Sequence, residues 1–133
     1  MIIRRHRIIK NEKGASAVEF ALILPLLIML VFGIVQFGIA FNNYITITHA
    51  AREGARIAAV DLNNPDLKNI IIERAFPVQI TEDDIVISTT EEKNIGDPVE
   101  VEITYNISIT IPLVGSWDIP LKNKAIMRLE YYE

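Results

Sequence analysis

The chain has no cysteine, only two histidines, His6 and His49, and a single tryptophan, Trp117. Without cysteine there is no disulfide framework and no thiol nucleophile, so a domain exported to an oxidising compartment folds without covalent staples. The two histidines stand on opposite sides of a long apolar run, so they cannot share a site. There is no glycine-rich phosphate loop and no His/Asp/Glu spacing of a metal centre. The acidic cluster Glu82, Asp83 and Asp84 lacks the alternating oxygen ligands of a calcium loop and reads as a solvated face. These absences argue against an enzyme and call for no cofactor and no metal. The most informative absence is one of charge. From Phe20 to Ala51 there is no Asp, Glu, Lys or Arg, and from Phe20 to Phe41 the only clearly polar side chain is Gln36.

That run is the organising stretch. As a helix, residues 20–41 rise about 33 Å, close to the thickness of a bilayer's hydrocarbon core. In lipid the backbone must satisfy its own polar groups, so the run is predicted to be helical. Pro25 removes one amide donor and crowds the carbonyl of Ala21, which predicts a kink or local loosening. Gly33 and Gly38 are small enough to let another membrane helix approach closely. Glu19 sits at the lip of the run. A carboxylate there either snorkels to the interface and favours the helix N-terminus, or needs a cation.

Charge is distributed by region. Residues 1–13 hold Arg4, Arg5, Arg7, Lys10 and Lys13 against Glu12, a net +4. Of the 13 basic and 17 acidic side chains in the whole chain, that leaves 8 and 15 for residues 42–133 once Glu19 is set aside, a net −7. A short basic flank before an apolar span places the N-terminus in the cytoplasm and the acidic remainder outside. The basic residues read as an orientation signal and not as a nucleic-acid site. A cleaved secretory signal is the rival reading. It needs a shorter apolar region followed by small residues, whereas here Gly14, Ala15, Ser16 and Ala17 precede the run, although Ala50 and Ala51 follow it.

Helical spacing continues past the run. Ala40, Tyr44, Ile47, Ala51, Ala55 and Ala58 recur at steps of three and four, with Arg52 and Arg56 one turn apart beside Glu53, and Gly54 the only glycine between residues 42 and 60. A helix from Ala15 to Val60 is about 69 Å long and outruns any membrane. After a break at 61–64, Asn64 is placed as the cap and Pro65 as the first residue of a short helix ended by Pro77.

From Ile85 the period becomes two. A strand at 85–89 is followed by a polar turn, then by the alternation of Val99, Val101, Ile103, Tyr105, Ile107, Ile109 and Ile111 with polar neighbours, and by a third strand from Ile119 to Tyr131. With residues 112–118 taken as the connection, Glu102 is expected opposite Arg128, Asn106 opposite Lys124 and Ser108 opposite Lys122. Trp117 falls in that connection and reads as a core plug. The fold class is α+β: a long N-terminal transmembrane helix extending into a small domain with a short helix and an antiparallel sheet of about three strands. A disulfide-free domain of this size is marginal alone, so the helix extension is expected to cover the sheet.

The segment from Lys13 to Phe20, a basic leader, a glycine, a glutamate five residues after it and then an apolar helix, resembles the class III signal of type IV prepilins. "AVEFALILPLLIMLVFGIVQFG" followed by "AAREGARIAA" is similar to the TadE-like family of minor pseudopilins of the tight-adherence (Tad/Flp pilus) system, as are "VEVEITYNISITIP" and the "MRLE" ending. The resemblance implies a pilin-like outer domain and cleavage between Gly14 and Ala15 by a prepilin peptidase. Ala15 would then carry a free amine and Glu19 would be the fifth residue, an assembly carboxylate. Implied partners are the prepilin peptidase, sibling pseudopilins, the major Flp pilin, an inner-membrane assembly platform and the lipid bilayer. The implied location is the bacterial inner membrane, single-pass, with incorporation in a surface pilus. The resulting division is 1–14 leader, 15–41 transmembrane helix, 42–60 helix extension and 61–133 extracytoplasmic domain. Major Flp pilins are shorter and often carry Tyr where this chain has Phe20, which favours a minor subunit. Alternatives are a TadF-like sibling, an uncleaved single-pass binding module, and a pseudopilin of a type II secretion apparatus.

Overall fold

One helix, α1, runs unbroken from Glu12 to Val60 and passes through Pro25. The computed structural model describes residues 12–130. Most of the basic leader and Tyr131 lie outside the described residues. At 49 residues α1 is about 74 Å long. Its N-terminal part stands clear of the other described elements, with Leu22, Leu26, Ile34 and Phe37 more than half exposed. The C-terminal part is the spine of the domain. Ile47, Ala50, Ala51, Ala55 and Ala58 are fully buried, so the apolar stripe expected from Ala40 begins at Ile47, and Tyr44 remains exposed.

A short helix, α2 (Leu67–Arg74), packs across that spine through Leu67 and Ile71. It starts two residues later than the proline pattern implied. Asn64 does not cap it. Its Oδ1 accepts from the Asp66 backbone N–H at 2.9 Å, forming a local turn that places Pro65 before the helix.

Three strands follow, β1 (Ile85–Thr89), β2 (Pro98–Ile111) and β3 (Gly115–Arg128), in an antiparallel sheet of order β1-β2-β3. The molecule is thus α+β, as the change of period implied. Alternation along β2 buries Val99, Val101 and Ile103 in the core with α1, and buries Ile107 further along the strand. Leu121, Asn123 and Ala125 of β3 share that side, and Asn123 donates to Thr48 Oγ1 of α1 at 2.8 Å. The end of β3 is tied to the end of α1. Leu129 is 1% exposed, and the Glu130 N–H reaches the Ala59 carbonyl at 2.8 Å. That bond satisfies one of the carbonyls a helix C-terminus leaves without an internal partner.

The strand register differs from the expected one. Glu102 lies opposite Lys124, Asn106 opposite Pro120 and Ser108 opposite Asp118. The connection is only Pro112, Leu113 and Val114, closed by the Ile111–Gly115 pair and by a Val114 N–H to Ile111 carbonyl bond of 3.2 Å. Gly115 has φ 138°, a conformation closed to L side chains, so the chain turns there and the strand begins at once. Trp117 consequently lies in β3 opposite Ile109, and at 48% exposure it is not a core plug. The tight turn carries the hairpin far along α1, where Gln36 Nε2 donates to the Thr110 carbonyl at 3.3 Å.

Candidate processing, anchoring and assembly site

The residues singled out in the sequence fall into two groups along α1. The first lies in its free half. Gly14 and Ala15 are in the first turn of the helix, where backbone amides have no internal acceptors and the helix opens most easily. Glu19 follows one turn later, exposed, and makes no hydrogen bond or ion pair among the described residues. Pro25 is accommodated inside the helix, and a Cβ at Gly33 or Gly38 would meet nothing within 4 Å. Nothing among the described residues therefore fills the space those glycines leave. The apolar stretch has a window of mean hydropathy 2.7, none of it buried in the chain. It is the one helix among the described residues long and apolar enough to cross a membrane.

The second group, Arg52, Glu53, Gly54 and Arg56, lies where α1 meets the domain, and its members do different work. Arg52 and Arg56 are exposed. Arg56 grips Glu53 with two bonds, Nη2 to Oε1 at 2.8 Å and Nε to Oε2 at 3.1 Å. The Arg56 hydrogen bond, opposed by burial and aided by the charges of Arg56 and Arg74, holds the Glu53 carboxyl below its ordinary range. The pair is solvent-facing, so its contribution to stability is small. Gly54 is buried against α2 and β2. A Cβ there would stand 2.6 Å from Ile71 Cδ1 and Cγ1 and 3.4 Å from Val101 Cγ1. With the alanines on either side it makes a smooth helix face on which the sheet and α2 sit closely.

The structure thus separates what the sequence ran together. Gly54 is structural and the flanking charges are surface. Asn123, which the strand alternation passed over as a polar gap, links β3 to α1 through Thr48. A polar residue in an apolar stripe was the available signal.

The acidic residues outside α1 serve local turns. Asp84 Oδ2 accepts from the Thr81 N–H at 2.8 Å and the Thr81 hydroxyl at 2.9 Å. Asp97 Oδ2 accepts from the Thr90 hydroxyl at 2.6 Å and the Asn94 N–H at 2.8 Å. The Thr90 bond, then the Asn94 bond, lower the Asp97 pKa below its ordinary 3.8. The stabilisation Asp97 gives is therefore complete above that value and is lost as pH falls through the lower folded one. No group of three His, Cys, Asp or Glu among the described residues is arranged to hold a metal ion.

No curated protein and no solved structure matches the chain. Residues 14–56 match the family model of the TadE-like proteins, a segment that starts at the candidate cleavage glycine and ends at Arg56. Over residues 14–56, the rod that joins the apolar part to the domain, the chain is similar to the TadE-like proteins.

Proposed function

We propose that the chain is a minor pseudopilin of the Tad pilus, held in the bacterial inner membrane by residues 15–41 with its N-terminus in the cytoplasm and its α+β domain outside. A prepilin peptidase removes residues 1–14 by cutting between Gly14 and Ala15. The new Ala15 amine and Glu19 then neutralise each other, within one chain or between neighbours. The subunit works with sibling pseudopilins, the major pilin and the inner-membrane assembly platform, to initiate or join the fibre.

The observation that carries this reading is Glu19, an exposed carboxylate without a partner among the described residues, at the edge of a span that has no other charge. A charge so placed is expensive in lipid unless a cation meets it. Processing creates a cation one helical turn away. The secretory-signal alternative fares worse. A cut beside Ala50 or Ala51 would fall in fully buried residues and divide the spine that the sheet packs on. The free faces at Gly33 and Gly38 suit close contact with other membrane helices.

The test is intact mass of the protein isolated from membranes with the prepilin peptidase present and absent. Loss of residues 1–14 is expected only when the peptidase is present. An uncut chain in both samples returns the protein to the reading of a plain anchored module.

A further inference from the structure

The β2–β3 hairpin carries a gradient of polarity along its length. Near the far end of the domain its outer face bears ion pairs, Lys124 with Glu100 at 2.9 Å and Lys122 with Glu102 at 3.2 Å. From Ile103 to Trp117 there is no charged residue at all. The first charge after the turn, Asp118, accepts a hydrogen bond from Ser108 across the strands. The tip is apolar and unpacked, with Leu113 81%, Val114 55% and Trp117 48% exposed, and with Ile119 beside them. A solvent-facing turn usually has the opposite character.

The tip's position along the rod explains this. Thr110, three residues before the turn's centre, accepts from Gln36, the one clearly polar side chain of the apolar run. Counted from Phe20, Gln36 lies about 24 Å along a helix that must cross a hydrocarbon core of about 30 Å. The hairpin tip therefore sits at the depth of the outer boundary of that core and not above it. Gln36 itself is partnered there by a backbone carbonyl, which lowers the cost of an amide at that depth. Tryptophan is the residue favoured at such a boundary, with its ring in the headgroup layer.

We propose that the turn Pro112–Val114, with Trp117 and Ile119, inserts into the outer leaflet of the membrane beside α1 as a second, shallow anchor. This rests on the reading of residues 15–41 as a span. The occupant of the exposed tip is lipid. In consequence the domain is held at a fixed height and tilt over the bilayer, and leaving the membrane requires withdrawing the hairpin as well as the helix.

Trp117 is the chain's single tryptophan and so reports on its own position. The full chain is reconstituted in vesicles of phosphatidylethanolamine and phosphatidylglycerol, with and without lipids brominated high on the acyl chain. The expected result is emission at shorter wavelength than exposed indole and loss of most of that emission in the brominated vesicles. A second protein, Phe32→Trp with Trp117→Phe, reports on the span and should be quenched by bromine deep in the acyl chain. If that reporter is quenched and Trp117 is not, the hairpin proposal falls while the span stands. If neither is quenched, the span reading falls and takes the proposal with it. A blue-shifted but unquenched Trp117 means that another protein surface covers it, which also overturns the proposal. Replacing Leu113→Asp and Val114→Asp together, at exposed positions, should lengthen the emission wavelength and relieve Trp117 quenching. The Phe32→Trp reporter carrying the same two changes should stay quenched.

Discussion

Gly54 shows how much one missing methyl group can decide. It is a point where α1 meets both α2 and β2 closely, and a Cβ there would overlap two atoms of Ile71. Alanine would favour the helix by about 1 kcal/mol over glycine. Overpacking a close contact typically destabilises by about 1–3 kcal/mol. Packing wins here because Ile71 is fully buried and has little room to move. Gly54→Ala is therefore expected to lower the thermal unfolding midpoint of the detergent-solubilised chain. Ile71→Ala, which removes both crowding atoms, should make the second change far less harmful than in the parent, a coupling that a double-mutant cycle measures. The sequence showed a lone glycine in a helical stretch. Only the crossing of three elements shows why it is there, because which neighbour lies over a helix position is a tertiary fact.

At the scale of elements, periodicity carried most of the information. The step of three and four residues marked the buried part of α1 but began it at Ala40, two turns before the first buried residue, Ile47, and the step of two located β1 and β2. It failed where the signal was geometry and not pattern. Seven residues at 112–118 look like a loop because Pro112 and Gly115 bracket Leu113 and Val114. The glycine's positive φ instead ends the turn at once, which shifts every cross-strand pair and moves Trp117 into β3. Asn123 was hidden for a related reason, since it breaks the apolar alternation while facing inward. Its amide donates to Thr48, whose hydroxyl in turn donates to the Tyr44 carbonyl at 2.7 Å, so two side chains in series tie the sheet to the helix backbone here. Asn123→Ala should cost about 0.5–1.5 kcal/mol. Denaturant unfolding is the measurement, and an unchanged midpoint would show that water replaces the bond without loss. The exposed edge at β3 is managed by residues that discourage pairing with another sheet, among them Pro120, Lys122 and Lys124.

At the scale of the whole molecule, the first buried apolar residue along the described chain is Ile47. A fragment beginning at residue 42 keeps every buried residue of the core, whereas one beginning at 61 loses Ile47, Ala50, Ala51, Ala55, Ala58 and Ala59. The former is expected to unfold cooperatively by circular dichroism. The latter should show no transition, because a sheet of this size cannot bury its apolar face unaided. The division that matters for folding thus falls inside α1 and not at its end. The rod has a further consequence, which is one of phase. With no linker between Glu19 and the face at Gly54, the direction in which the carboxylate points relative to the sheet is set by the number of residues between them. One residue added in that interval turns Glu19 by about 100° around the rod and shifts it by only about 1.5 Å, while seven added residues nearly restore its bearing and move it by about 10 Å. Bearing and reach are thus separate quantities in this protein, and the count of residues in the apolar run fixes both.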